Sequence, residues 1–471
     1  MKKFIIFCAL MFVSAMSSAL GAPDAVLTQE MLDEATNTFV IRKNYNLLGQ
    51  KLVVPDGLSL LFVAGSVDNG ELCGTNSRVE VKRRTPVFGL DLKISGTWNV
   101  PEVHDGWFVF NETEGFVSNQ IIKNLLAFSR DETACHIFLE ENRTYFYELP
   151  YKGRGDFGNM VSTTVTDGET KRNYSDLTDD KYDYLRIFTI PSNTHLTINN
   201  RLKMLPTAIG AYIVFWEYGK KNIIIDGHGT IAGDNDWHLY EKPVFGKYFY
   251  GEWGHLFRCI RCSGFTLKDI TISDSFGDCI YYTGSYYPNE IEQRWGSDLT
   301  MDHVTILRAR RNGVAVGARN VRIVNCHFEG CGTESVNGTN PRCGINFEPA
   351  SVRAYRELGN QDAVVEDCTF VDNKYDFGSS LNNLPGYGKI ATIVKNCRFT
   401  NEVKISATYW IRFDHCFITA LPERSNGRTY SSNYLEFINC EFVEEESAVV
   451  GLLNKKANKF INCRFNVDEK K

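Results

Sequence analysis

Ala363-Val-Val-Glu-Asp-Cys-Thr-Phe370 is the stretch that decides the fold of this chain. Its pattern, apolar-x-apolar-x-(Asn/Asp/His)-apolar-x-(Phe/Ile), returns as Phe265 to Ile272, Leu299 to Ile306, Val321 to Phe328, Thr392 to Phe399, Ile411 to Ile418 and Leu435 to Phe442, and from its third residue as Phe460 to Phe465. Alternating apolar residues describe a strand with one buried face. The sixth positions are Ile270, Val304, Cys326, Cys368, Cys397, Cys416, Cys440 and Cys463, so the intervals are 34, 22, 42, 29, 19, 24 and 23 residues. A base period of about 22 residues is that of one supersecondary unit that buries its face only by stacking on its neighbours. A leucine-rich repeat has a similar period, but it needs leucine-dominated spacing and a helical stretch, and neither is visible. Second strand phrases follow in several coils, as Gly277-Asp-Cys-Ile-Tyr-Tyr282, Arg311-Asn-Gly-Val-Ala-Val316 and Cys343-Gly-Ile-Asn-Phe347. Two or more short strands per coil predict an all-β parallel β-helix.

These residues resemble the right-handed parallel β-helix superfamily of pectate lyases, polygalacturonases and phage tailspikes. Asn222-Ile-Ile-Ile-Asp-Gly-His-Gly-Thr-Ile-Ala-Gly-Asp234 is similar to the coil that precedes the active-site coils of polygalacturonase-like proteins. The resemblance covers the C-terminal half and implies right-handed coils. Its functional content is broader, because this scaffold hosts hydrolases, lyases, epimerases and non-catalytic adhesins.

Lys2 and Lys3, the apolar run Phe4 to Val13 and the small residues from Ser14 to Ala22 read as a secretory signal peptide. The apolar run is shorter than the about 20 residues of a membrane span. The expectation is an exported protein without a membrane span, located in the periplasm, at the cell surface or outside the cell. Without Lys2 and Lys3, 49 basic residues face 57 acidic ones, a net charge of −8, which argues against nucleic acid as a partner. The 14 cysteines include Cys8 in the leader. Cysteines recurring at one position of successive coils are expected to stack inward as small hydrophobes, Cys259 and Cys262 to be structural, and Cys331 with Cys343, in an apparent insertion, to be a candidate disulfide.

The predicted organisation is a leader over 1–22, a β-rich module over 23–115, a capping helix, strand and long loop over 116–184, and the β-helix over 185–471. Val117 to Phe128 places Ile121, Ile122, Leu125 and Leu126 at helical spacing. A cap is expected physically, because a terminal coil otherwise exposes its core and its edge. Tyr151 to Asp183 lacks periodicity and reads as a long loop, a candidate lid or cleft wall. A monomer is expected.

The 34- and 42-residue intervals exceed the base period and flank a regular coil, so insertions loop out there. Solenoids place binding surfaces where such insertions cluster, which locates a cleft over Asp278 to Glu357. Tyr281, Tyr287 and Trp295 suit the apolar faces of sugar rings, with packing of the insertion as the alternative. Asp278, in Gly277-Asp-Cys-Ile280, resembles the Gly-Asp-Asp-Cys-Ile phrase that carries catalytic carboxylates in polygalacturonases. The aligned Asn312 and Cys343 are not acids, and Arg311-Asn-Gly313 stands where that family has Gly-His-Gly. A turn role for Asp278 is the alternative. Glu348 alternates outward with Asn346 and lies about 19 Å from Asp278 by strand geometry, too far for a simple acid/base pair. It is expected to neutralise Arg310 or Arg311, or to hold a cation such as calcium; no cofactor is predicted.

Arg310 and Arg311 suit carboxylate or sulfate groups of an acidic glycan, which makes β-elimination, with Arg311, Tyr281 or His303 as base, the rival of hydrolysis. His303 occupies the fifth, ladder position of its phrase. The expected function is an exported protein cleaving an extracellular polysaccharide, leaning to a glycoside hydrolase. Catalytic candidates are Asp278, Arg311 and Glu348, and substrate-binding candidates are Tyr281, Tyr287, Trp295, Arg310, Asn312 and Asn346. The alternatives are a polysaccharide lyase and a non-catalytic glycan-binding adhesin.

Overall fold

The computed structural model describes residues 25–468 except 82–84, 114, 151–184, 208–211, 240–253, 285–294, 335–338, 349–361, 381–387, 407–409, 422–433, 448 and 450–457. The leader, the loop 151–183 and Tyr287 therefore lie outside the described residues. The chain divides into two units, Met1–Glu141 and Asn142–Lys471, so the helix expected over 116–184 belongs to the first.

The second unit is a right-handed parallel β-helix. One coil shows the plan: Ser263–Lys268 lies in a first sheet, Thr271–Ser273 in a second and Ile280–Thr283 in a third. Each strand pairs in parallel with its counterpart one coil away. Phe265 faces Leu299 in the first sheet, Ile272 faces Ile306 in the second, and Phe257, Ile280, Val314, Ile345 and Phe377 run in register along the third. Inward columns stack like on like. Phe328, Phe370 and Phe399 stack with centroids 4.9 and 4.8 Å apart, and Phe413, Phe437 and Phe460 with 5.0 and 5.1 Å. Each such ring is worth ~1.5–3 kcal/mol of burial, and offset stacking adds to it.

The eight-residue phrase corrects its own first reading: it is two strands, not one. Ala363–Glu366 belongs to the first sheet and Thr369–Val371 to the second. The residue between them, Asp367, has φ 54°, and so do its equivalents in kind: Asp269, His303, Asn325, Asn396, His415, Asn439 and Asn462 lie between φ 51° and 55°. This left-handed region is costly for most side chains and tolerated by Asn, Asp and His, which explains the fifth position and accounts for His303 as a corner residue. The sixth position then turns inward. Cys368 Sγ approaches the carbonyl of Ile323 one coil back at 3.6 Å, and Cys397, Cys416 and Cys440 repeat the contact against Val365, Val394 and Phe413.

All thirteen cysteines among the described residues are free. Cys331 and Cys343, the pair named as a candidate disulfide, are among them. Their thiols face different neighbours, Cys331 Sγ the Glu329 carbonyl at 3.8 Å and Cys343 Sγ the Pro341 carbonyl at 3.5 Å. Burial pushes the Cys331 thiol up to about 12.

The first unit is also built from parallel strands, a feature the sequence did not disclose. Lys51–Val54, Gly70–Val81 and Leu92–Trp98 stack in register, with Leu52, Leu72 and Ile94 as an inward column. Thr38–Ile41 and Ser59–Phe62 pair in the same way. The helix, Asn119–Ala127, buries Ile121, Ile122, Leu125 and Leu126. Its Asn124 side chain accepts from the Ile94 N–H at 2.9 Å and donates to the Leu92 carbonyl at 2.7 Å, which closes the edge of strand Leu92–Trp98.

Candidate functional site

The site grows from the corner between the second and third sheets. There the chain must turn without the fixed two-residue device of the other corner, and the connections differ in length from coil to coil. Asp278 lies near the end of one of them, two residues before strand Ile280–Thr283, and pairing along the third sheet sets it between His255 and Asn312 on the adjacent coils.

Asp278 is fully buried, and its carboxylate is almost completely engaged. Arg311 Nη1 donates to Oδ2 at 2.6 Å, while the Asn312 N–H and Nδ2 donate to Oδ1 at 3.0 and 2.8 Å. The Asp278 N–H donates to His255 Nδ1 at 3.1 Å, so that nitrogen carries no proton. Burial and the nearby Arg258 and Arg311 hold the His255 imidazole well below its ordinary value, and its approach to Asp278 Oδ2 at 3.7 Å is that of a neutral ring. Burial lifts the Asp278 carboxyl to about 6, outweighing the opposing charge of Arg311 and the Asn312 donors.

Arg311 joins the two carboxylates. Its Nη2 lies 3.9 Å from Glu348 Oε2, and its Nε donates to the Asn340 carbonyl at 3.1 Å. Adding both contacts across one planar guanidinium puts the Asp278 and Glu348 carboxyl groups within ~9 Å of each other. This corrects the separation read from strand geometry. That reading measured along the backbone, whereas both side chains reach the same arginine. The Glu348 carboxylate remains 44% exposed and accepts from Asn346 Nδ2 at 3.0 Å.

The remaining candidates divide by exposure. Arg310 is fully buried: its guanidinium lies 4.1 Å over the Phe276 ring, donates to the Phe276 carbonyl and reaches Thr339 Oγ1 at 3.1 Å. Asn312 is fully buried and also accepts from the Cys343 N–H at 3.0 Å, so it ties three coils together. Both therefore support the wall of the site from within, and Asn346 is buried beside them. Tyr281 is half-buried and faces outward, stacked on His255 at 5.2 Å and packed on Ile213, Trp216 and Ile260. Trp295 directly precedes the first-sheet strand Gly296–Asp302, 5.4 Å from the Arg319 guanidinium.

Sequence reasoning missed His255, Arg258 and Trp216. Trp216, Arg258 and Tyr281 are in register on consecutive coils, and the Arg258 guanidinium lies between the two rings, 5.4 Å from Trp216 and 5.8 Å from Tyr281. The strand of His255 and Arg258, His255–Ile260, is buried at all six positions, so it lacks the alternation that marks a half-exposed strand. The signal that could have found His255 is its alignment with Asp278.

No protein-family model matches this chain. An uncharacterized protein of Bacillus subtilis, YclG, is 29% identical over 205 residues, which are 42% of this chain and 33% of that protein; the chain thus spans about a third of the curated relative it matches. Among solved structures it is similar to the surface adhesin PfbA of Streptococcus pneumoniae, with TM-score 0.36 and 11% identity over 93% of this chain and 86% of the other. It is also similar to a family 28 exopolygalacturonase of Yersinia enterocolitica, with TM-score 0.30 and 11% identity over 93% and 72%. Likeness at this level assigns no activity.

Proposed function

We propose that a right-handed parallel β-helix carrying this carboxylate pair is an exported glycoside hydrolase acting on an extracellular polysaccharide. The observation that carries the reading is the Asp278–Arg311–Glu348 bridge. It combines a buried carboxyl lifted to about 6 with an exposed carboxylate within ~9 Å. Inverting glycosidases pair a general acid of raised pKa with a general base at about 6.5–9.5 Å, leaving room for the attacking water. In this reading Asp278 protonates the departing glycosidic oxygen and Glu348 takes a proton from water. Substrate must displace Arg311 Nη1 from Asp278 Oδ2 for the acid step to occur. Arg311 then donates to acceptor oxygens of the bound sugar, and Tyr281 offers a ring face for it. The basic start of the chain supports export, and the acidic balance of the remainder supports a polysaccharide over a nucleic acid.

One observation favours a second reading, glycan binding without turnover. Asp278 is fully buried with three donors on its carboxylate, the pattern of a structural carboxylate. Incubation of the protein with neutral and acidic polysaccharides, following reducing ends and ultraviolet absorbance, separates these. Reducing ends alone support hydrolysis, and reducing ends with the absorbance of a 4,5-unsaturated uronate replace it with elimination. Binding without either product supports the second reading.

A further inference from the structure

The corner one coil before Asp278's carries a feature that the hydrolytic pair does not use. The Trp237 ring is 38% exposed, yet it is fixed: its Nε1 donates to the Met204 carbonyl at 3.0 Å, and the buried Lys203 ammonium lies 4.9 Å from the ring centroid. Lys203 is itself held by the Gly233 carbonyl at 2.8 Å and Asp236 Oδ1 at 2.5 Å. Beneath the indole is a saturated network. Asp234, fully buried, accepts from Tyr212 at 2.5 Å and the Thr207 N–H at 3.1 Å, and pairs with His238 Nδ1 at 2.7 Å. His238 stacks on Phe276 at 3.8 Å, and Phe276 lies under Arg310.

This corner is packed tightly onto the next. A side chain at Gly233 would meet the Asp274 carbonyl at 2.4 Å, the Asn235 N–H donates to that carbonyl at 2.9 Å, and Asn235 Nδ2 reaches the Arg308 carbonyl at 3.1 Å. Arg308, 56% exposed, grips Asp274 with two bonds of 2.7 and 3.0 Å, and it also feels the charge of Asp236. An immobilised, part-exposed indole thus follows a half-exposed carboxylate, Asp236, which interacts electrostatically with the half-exposed Arg308 guanidinium. Ordering an exposed tryptophan on buried support is unneeded for the β-helix, whose other coils, among the described residues, turn at this corner without one.

We propose that Trp237, Asp236 and Arg308 form a sugar-binding shelf, distinct from the Asp278–Glu348 centre, on which the apolar face of a pyranose ring stacks while its hydroxyls bond the carboxylate and guanidinium. The ring's preorganisation keeps the cost of binding low. The shelf rests on the carbohydrate reading above, but not on turnover. It extends the glycan contact by one coil, so it acts on long chains and not on short ones.

The test is equilibrium binding, by calorimetry, of oligogalacturonides and of neutral gluco-oligosaccharides from two to eight units, to the full protein, to Trp237→Ala and to Trp237→Phe. The expected result is about tenfold weaker binding of the longest oligosaccharide that binds on Trp237→Ala, with Trp237→Phe intermediate, no change for the disaccharide, and a cooperative unfolding transition kept by both variants. Equal affinities of wild type and Trp237→Ala for the long chain, or no oligosaccharide binding by wild type, would overturn the shelf. Binding sensitive to Trp237 in a protein that cleaves nothing would instead overturn the hydrolase reading and leave the shelf standing.

Discussion

The two corners of the same coils obey different rules. Between the first and second sheets, each turn from Asp269 to Asn462 is a left-handed residue followed by one inward side chain. Between the second and third sheets the connection is three residues long from Val371 to Tyr375 and twenty-two from Ala232 to His255. The regular corner buries no charged side chain among the described residues, whereas the irregular one buries Asp234, Asp274, Asp278, Arg310 and Arg311, with Asp376 buried at the start of the strand that follows it. Buried charge costs free energy unless it is paired and hydrogen-bonded. Its absence from the first corner and presence at the second teach that the fold is secured at the first corner, which leaves the second free to carry chemistry.

That contrast is open to breakage. Replacing Arg311 by Met strands the Asp278 carboxylate in the interior, and the expected loss is about 3–5 kcal/mol at pH 7.5, smaller at pH 5 where Asp278 is protonated. Denaturant unfolding at both pH values reads it, and a variant as stable as wild type would mean that the irregular corner is not charge-dependent. Second in size is the pH response of the buried acids. Burial lifts Asp278 and Asp376 each to about 6, above the unfolded carboxyl, so the native state holds more protons between about pH 4 and 6. Each contribution is therefore complete below about pH 4 and is lost as pH rises through 6, by about 3 kcal/mol. The stability difference between wild type and Asp376→Asn, followed from pH 4.5 to 7.5, should fall with pH by about 2 kcal/mol, the part of the loss that lies above pH 4.5; a flat difference would contradict the burial effect. The smallest effect belongs to the regular corner. Asp367→Gly should leave stability within a few tenths of a kcal/mol, whereas Asp367→Val should cost about 1–2 kcal/mol because of its φ of 54°. Equal melting temperatures for the two would sharpen the comparison in the wrong direction, making the corner indifferent to backbone conformation.

How much of this was legible follows from the same division. The eight-residue phrase announced the β-helix because the left-handed corner preserves alternation: Val365 points in, Asp367 turns the chain, and Cys368 and Phe370 point in again. Two strands therefore read as one. The stacked strands of the first unit were not recognised as coils, because their corners do not repeat that phrase. Around the site, Asp278, Arg311 and Glu348 were visible as residue types at coil positions, but their convergence was not. Strand spacing fixes Cα positions, while the length and lean of Arg311 and Glu348 decide where their charges meet. The burial of Arg310 and Asn312 was equally hidden, since residues on a connection of unfixed length carry no periodicity from which to read inside and outside.

Glu348→Gln tests the central claim most directly, because this side chain is 44% exposed and its loss of charge leaves the core untouched. On a polysaccharide that wild type cleaves, the initial rate of reducing-end release should fall about 10²–10⁴-fold with an unchanged melting temperature. A rate within twofold of wild type would contradict the assignment of the Asp278–Arg311–Glu348 bridge as a hydrolytic centre.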